Sequence, residues 1–251
     1  MKLFVILLVW TIWGAFFLAC SHDIPENGLE NVMYNAVQDV DGNYYDAVQI
    51  GEQVWMRTNL RTRHFRDGSE INNGYYYNAP HCFSPEFLPS ADFGDSYCHF
   101  WNNNEKKVYG LLYNWYAVDD QRGLCPEGWH VPSDVEWNQL EEYVESQWCY
   151  NDYSVAKALA SQYGWVSSNE WCDPGYHPEK NNASGFGAVP AGRCRRSSFL
   201  GAGYNAHFWS ATQYSGGYAY YRGLDNGNAY VSRGDYDLDK YNGFSVRCLR
   251  D

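Results

Sequence analysis

The sequence predicts an α+β fold, with helices in the middle of the chain and short strands toward its end. Three observations support this class. Aromatic residues make up 18% of the 251 residues and charged residues 19%, a balance typical of strands and loops. Helical periodicity follows a helix-start signal at Ser133. Runs of aromatic and β-branched residues, bounded by turn residues, recur from Phe186 onward.

The N-terminal residues predict a secreted, membrane-anchored protein. The chain is almost wholly apolar from Leu3 to Ala19, which favours a cleaved signal of residues 1–19 over a stable transmembrane helix. The residues Phe17-Leu18-Ala19-Cys20 resemble a bacterial lipoprotein box, so Cys20 is expected to be lipidated. The alternatives are an ordinary cleaved signal and an uncleaved anchor helix. We expect a cell-envelope location, as an outer-membrane lipoprotein that faces the periplasm or the exterior.

Residues 20–37 are predicted to tether the anchor to one domain over residues 38–251. Two hairpin signals open this domain. Asp41-Gly42-Asn43 is a turn between strand-forming residues, and Gly51-Glu52 separates Ala47 to Ile50 from Gln53 to Met56. The chain is then irregular from Arg63 to Lys107. An internal disulfide would make a loop of that length compatible with a compact domain.

Helix signals are confined to the middle of the chain. Gly110 to Tyr116 can form a short buried helix. Ser133 and Glu136 have the spacing of a capping box, and Asp134 reinforces the start at the positive end of the helix dipole. A structural role is therefore expected for both acidic residues. The helix continues as an apolar stripe of Trp137, Leu140, Val144 and Trp148, and a second, shorter helix is predicted over Ser154 to Ser161.

The remaining elements are predicted to be strands. Their sequences combine aromatic, β-branched and small residues between glycine-rich turns. They cover Phe186 to Gly192, Phe208 to Thr212, Tyr218 to Arg222, Ala229 to Ser232 and Phe244 to Leu249.

Several motifs occur in the order found in a known bacterial family. They are Ile50 to Met56, Asn59 to Arg61, Tyr109 to Trp115, Cys125 to Trp137, Gly185-Phe186, Pro190 to Gly192, Phe208 to Ser210, Ala219 to Tyr221 and Ser245 to Cys248. Together they resemble the Fibrobacter succinogenes major paralogous domain family over roughly residues 38 to 251. The stretch Val131 to Trp137 is also similar to sulfatase-modifying-factor domains. The resemblance implies a C-type lectin-like fold with two main helices, small twisted antiparallel sheets and long disulfide-braced loops.

The cysteines indicate disulfide bracing in an oxidising compartment. The family pattern implies a bond between Cys125 and Cys248, which could stabilise the fold by about 4 to 5 kcal/mol. Proximity along the chain suggests Cys82 with Cys98 and Cys149 with Cys172, although sequence does not fix connectivity. Cys194 would then remain a thiol.

Metal and nucleic acid sites are not predicted. The net charge is −12, and the only basic cluster is Arg193, Arg195 and Arg196, too short for phosphate binding. His81-Cys82 and Cys98-His99 could hold a metal in principle, but a disulfide is favoured. Asp235, Asp237 and Asp239 could offer oxygens to calcium, but alternation in a strand favours a solvated face. We therefore expect no cofactor and no metal.

Catalysis is not favoured by the resemblance. Sulfatase-modifying enzymes use a pair of closely spaced cysteines near the end of the domain, whereas Cys194 stands alone. The sequence shows neither a nucleophile elbow nor a phosphate loop. An extracytoplasmic enzyme of unknown reaction and a structural envelope lipoprotein remain alternatives. The favoured hypothesis is a non-catalytic surface module for binding or adhesion, with a polysaccharide or a surface protein as its partner.

Exposed aromatic side chains are the candidate ligand contacts, because aromatic rings stack on sugars and anchor protein interfaces. Those in loops and long connections are the most accessible by this reasoning. The candidates are Tyr75, Tyr76, Tyr77, Trp165, Trp171 and, from a late strand, Tyr220.

Overall fold

The computed structural model describes residues 31–73, 81–83, 109–148, 154–195, 198–234 and 240–251. Strands account for 38% of this structure and helices for 16%. The fold is β-rich, with antiparallel sheets and three short helices, so the predicted α+β, C-type lectin-like fold with two main helices is wrong. The second predicted helix ends early, because Ala160 adopts extended backbone with ψ of 149° and forms a β-bridge with Ala188.

A five-stranded sheet joins the two ends of the described chain. Its members are β1 (Val32–Gln38), β2 (Tyr44–Ile50), β3 (Gln53–Met56), β7 (Trp129–His130) and β13 (Leu249–Arg250). Their order is β1-β2-β3-β13-β7, and every neighbouring pair is antiparallel. The two predicted hairpins are confirmed as β1-β2 and β2-β3. The sheet starts earlier than expected, since β1 falls largely within the predicted tether.

A three-stranded antiparallel sheet is built from the late part of the chain. It consists of β10 (Asn205–Ser215), β11 (Tyr218–Asp225) and β12 (Asn228–Gly234), in that order. Smaller sheets contain β4 (Asn72–Asn73), β5 (His81–Phe83) and β6 (Leu112–Tyr113), and β8 (Arg193–Arg195) with β9 (Ser198–Leu200). The predicted strand over residues 186–192 is reduced to isolated bridges at Ala188 and Gly192.

Within the described residues, three α-helices and one 3₁₀ turn connect the sheets. They are α1 (Trp115–Val118), α2 (Asp134–Trp148), α3 (Val155–Leu159) and the 3₁₀ turn Pro178–Lys180. The predicted capping box is confirmed at α2. The Ser133 amide donates to Glu136 Oε2 at 2.7 Å, and the Glu136 amide donates to Ser133 Oγ at 3.3 Å. The apolar stripe of α2 faces the core, with Trp137 4.8 Å from Trp55 between ring centroids.

The predicted bond between Cys125 and Cys248 is confirmed. Both cysteines are buried, their Cα atoms are 6.0 Å apart, and they are separated by 123 positions in the sequence. The bond ties the segment before β7 to the segment before β13. Because β7 and β13 are neighbours in the five-stranded sheet, the cross-link reinforces contacts between distant parts of the chain.

The residue before Cys248 in the sequence is a buried cation. Arg247 is fully buried, and its guanidinium donates to Asn59 Oδ1 at 2.7 Å and to the carbonyl oxygens of Met56, Phe186 and Gly187. Burial lowers the pKa of Arg247 to about 9, so the group remains cationic at neutral pH. Neutral oxygen atoms therefore accept the hydrogen bonds of the buried guanidinium. Through these bonds Arg247 links the β3 region to the segment around Phe186.

The predicted signal peptide and Cys20 lie outside the described residues. Within the described ranges, none of the helices has the length and apolar character needed to cross a bilayer.

Candidate functional site

The clearest candidate site is the loop of residues 162–177, called here the Trp171 loop, which connects Ser161 to the 3₁₀ turn. Trp171 is 63% exposed although it is a large apolar side chain. Its ring lies nearly parallel to that of Tyr176, with centroids 6.2 Å apart and planes at 21°. The loop therefore presents two aligned aromatic rings, one of them mostly in water.

A buried lysine anchors this loop from below. Lys157 on α3 is only 3% exposed, and its ammonium group donates to the carbonyl oxygens of Asp173 and Tyr176. Ser154, which caps α3, donates from Oγ to the Cys172 carbonyl oxygen at 2.6 Å. Burial lowers the pKa of Lys157 below its ordinary value. The backbone that follows Trp171 is thus fixed to α3.

Further hydrogen bonds fix the loop to the sheet. The Gly175 amide donates at 2.9 Å to the carbonyl oxygen of Asn226, at the turn between β11 and β12. Within the loop, the Ser168 amide donates at 2.9 Å to the carbonyl oxygen of Gly175. A Cβ atom at Gly175 would lie 2.4 Å from the Val166 carbonyl oxygen, so only glycine allows this approach. Asn181 donates to the Pro174 carbonyl oxygen at 2.9 Å. A loop held at this many points loses little conformational entropy when a ligand binds.

A polar edge borders the aromatic rings. The rings of His177 and Tyr176 are nearly perpendicular, with their centroids 4.6 Å apart. The His177 Nδ1 atom lies 2.9 Å from Glu179 Oε1. His177 also has a φ of +49°, an uncommon conformation for a side-chain-bearing residue, which the loop contacts maintain. Aromatic faces beside hydrogen-bonding groups can contact both the apolar and the polar parts of one ligand.

Tyr220 lies elsewhere, on β11 in the three-stranded sheet. The Arg233 guanidinium lies 4.1 Å above the Tyr220 ring, and Tyr214 meets the same ring edge-on at 5.4 Å. Arg233 is in turn bound to Asp134 at the start of α2 by Nε at 3.0 Å and Nη2 at 2.9 Å. Asp134 thus supports an exposed side chain in addition to starting a helix.

A second arginine completes this charge network. Arg222 is fully buried and donates to Asp134 Oδ1 at 2.8 Å and to Asn138 and Glu141. Burial opposes ionisation of Asp134, but hydrogen bonds from Arg233 and Arg222 lower its pKa overall. At Glu141 burial has the larger effect, and its pKa is raised despite the contact with Arg222.

This network was not predicted, although the sequence contains a signal for it. Asn138 lies four residues after Asp134, and Glu141 lies three residues after Asn138. This spacing places three polar side chains on one face of α2. An uninterrupted polar stripe beside the apolar one indicates a buried polar partner. That partner, Arg222, lies in β11 between Tyr221 and Gly223.

The other predicted contacts fall in different places. Trp165 is 7% exposed, and its Nε1 donates to Ser161 Oγ at 3.2 Å, so it belongs to the core and not to the ligand surface. The segment Tyr75, Tyr76 and Tyr77 lies outside the described residues, as do Cys98 and Cys149 and the side chain of Cys82. The pairings of Cys82 with Cys98 and of Cys149 with Cys172 therefore stay predictions.

A shallow cleft of about 260 Å³ lies between the first hairpin and the segment after α1. His64 lines it, and His64 Nδ1 is 2.5 Å from Asp41 Oδ1. Asp41 also accepts from Thr62 Oγ1 at 2.9 Å, and hydrogen bonds from its neighbours lower its pKa despite the opposing effect of burial. The pair fixes the orientation of the imidazole. In the described ranges no three His, Cys, Asp or Glu side chains are grouped to hold a metal ion.

Comparisons with known proteins agree with the motifs. Neither the curated proteins nor the solved structures contain a match to this chain. The sequence model of the Fibrobacter succinogenes major domain matches residues 48–250, which include both disulfide cysteines, Asp134, Arg233 and the whole Trp171 loop. Since this match covers most of the chain, the protein belongs to the Fibrobacter succinogenes major domain family.

Proposed function

We propose that the domain is a non-catalytic binding module that holds a saccharide chain on the Trp171 loop. The observation that carries this proposal is the exposure of Trp171 on a braced loop. An indole ring kept in water gains free energy when a ligand covers it. Because Lys157 and Ser154 already fix the loop backbone, that gain is not consumed by ordering the protein.

The chemistry of the site favours a saccharide. The C–H faces of pyranose rings are flat and apolar, and they stack on aromatic rings such as Trp171 and Tyr176. Sugar hydroxyl groups both donate and accept hydrogen bonds, and His177 and Glu179 offer such partners at the border of the rings. The predicted envelope location would place this surface where polysaccharides occur.

A pull-down with insoluble polysaccharides tests the proposal. Purified domain is mixed with cellulose, chitin, xylan and mannan, and the bound fraction is measured by depletion. Trp171→Ala should weaken binding by about 2 kcal/mol, or roughly thirtyfold in Kd, as expected for a central aromatic contact. Its unfolding midpoint should match the parent's, because the Trp171 side chain is exposed.

Tyr34→Ala is the matched control. Tyr34 is 64% exposed on β1, so this variant removes an equally exposed ring that lies outside the Trp171 loop. It should bind like the parent. A variant with Tyr75, Tyr76 and Tyr77 changed to alanine would show whether that segment contributes to the same surface. Failure of the parent to bind any of the four polymers, or equal losses in Trp171→Ala and Tyr34→Ala, would refute the proposal and leave a protein partner to be tested.

A further inference from the structure

The platform of Tyr214, Tyr220 and Arg233, at one end of the three-stranded sheet, is a second exposed surface with its own chemistry. Arg233 stacks on Tyr220 at 4.1 Å, and its side chain remains 44% exposed. Tyr214 is exposed and meets Tyr220 edge-on at 5.4 Å. The platform therefore combines a cation with an open aromatic ring.

The ion pair with Asp134 uses only one of the two forked edges of the Arg233 guanidinium. Asp134 accepts hydrogen bonds from the side edge of the guanidinium, from Nε to Oδ1 at 3.0 Å and from Nη2 to Oδ2 at 2.9 Å. A guanidinium has five N–H donors, and its end edge, made by Nη1 and Nη2, forms a second fork. In the part of the chain that the structure describes, the hydrogen bonds of Arg233 to Asp134 run from Nε and Nη2, and the Tyr220 side chain interacts with the face of the guanidinium. That second fork matches the two oxygens of a carboxylate.

The carboxylate of Asp134 is itself fixed, so Arg233 is held in place before any ligand arrives. Asp134 is 10% exposed in its side chain, and buried Arg222 donates to its Oδ1 at 2.8 Å. Its backbone amide donates to Thr212 Oγ1 at 2.9 Å, which ties the start of α2 to β10. With Arg222 and Asp134 already paired, the Arg233 charge can serve a further partner.

We propose that this platform binds the carboxylate of a uronic acid residue, with the end edge of Arg233 on the carboxylate and the Tyr214 ring against the sugar. It is a second site, independent of the Trp171 loop. The chain carries a net charge of −12, so long-range attraction does not favour an anion. Recognition is instead short-range, through a preorganised bidentate contact that persists at about 0.15 M salt, where screening acts over about 8 Å.

Titration calorimetry of the whole domain with two probes tests this site. One probe is trigalacturonate and the other is its methyl ester, which has the same sugar skeleton without charge. The parent should bind the acid about tenfold more tightly than the ester, as a charge-assisted bidentate contact provides. In Arg233→Gln the difference should disappear. Arg233→Lys keeps the charge but loses the fork, so it should show the same loss.

Two variants separate the site from other causes. Arg195→Gln removes a positive charge from an exposed position on β8 and should preserve the preference for the acid. Trp171→Ala should also preserve it, because the platform does not use that loop. Absence of binding by the parent, equal affinity for acid and ester, a preference that survives in Arg233→Gln, or one that is lost in Arg195→Gln would each overturn the proposal. Because Arg222 still pairs with Asp134, Arg233→Gln should fold, and its unfolding midpoint checks this.

Discussion

Removing the disulfide between Cys125 and Cys248 should lower the free energy of unfolding by about 5 kcal/mol. The bond joins residues 123 positions apart. In the chain-entropy model the entropic cost of closing a loop grows with the logarithm of the loop's length. The stabilisation expected for a loop of this size is therefore near the upper end of the range found for disulfides. For a domain of this size the melting temperature should fall by about 10 to 20 °C.

The double variant Cys125→Ala/Cys248→Ala is the appropriate perturbation, because a reductant would also open any other disulfide. Urea unfolding followed by tryptophan fluorescence gives both the free energy and its slope with denaturant. The slope should increase, since the unfolded chain without the cross-link exposes more surface. A comparison of the double variant with the parent, both under reductant, measures the loss of packing alone, because any other disulfide is open in both. A double variant within about 1 kcal/mol of the oxidised parent would refute the entropic reasoning.

Two further predictions concern a histidine and a pair of glycines. Burial acts to lower the pKa of His130, but hydrogen bonds with Asp251 and Glu136 raise it overall. The imidazolium thus stabilises the fold below its unfolded pKa of about 6.5, and this contribution disappears as pH rises through the folded pKa. His130→Gln should therefore lose more stability in urea titrations at acidic than at alkaline pH, and equal losses would contradict this. Gly110 and Gly128 have φ of +74° and +75°, but an added Cβ lies 2.7 Å from a backbone oxygen only at Gly110. Gly128→Ala should cost about 1 kcal/mol and Gly110→Ala at least about 3 kcal/mol in thermal unfolding, and similar costs would show that the close contact is relaxed.

Local elements were predictable where neighbouring residues supply the whole signal. The Ser133 and Glu136 capping box is one such case, because both partners lie within a single turn. The hairpins around Gly42 and Gly51 are another, and both glycines have positive φ. In these places the physical cause is short-range, so the printed sequence contains it.

The balance of helix and strand was not predictable in this way. Residues 154–161 have an N-cap and helix-forming residues, yet the helix ends at Leu159 because Ala160 pairs with Ala188. Pairing across 28 positions leaves no local trace in the sequence. The family resemblance added an incorrect expectation of two main helices, since matching motifs do not fix the length of the elements between them.

At the candidate sites too, the sequence did not contain what the contacts between distant residues decided. Trp165 and Trp171 are both tryptophans in one irregular connection, and composition does not distinguish them. The structure buries Trp165 at 7% exposure and leaves Trp171 at 63%. Contacts from distant residues, among them Lys157 on α3 and Asn226 between β11 and β12, hold the loop in the form that separates the two rings.

The sequence by itself determined the family, the disulfide partner expected for Cys125 and the start of α2, because each rests on motifs or on neighbours along the chain. Only the tertiary structure decided that the fold is β-rich and that Arg222 is buried against Asp134. It also decided that Arg233 lies over Tyr220 with one edge of its guanidinium open. These features depend on strand pairing and on burial between distant segments, and their energies arise only when those segments meet.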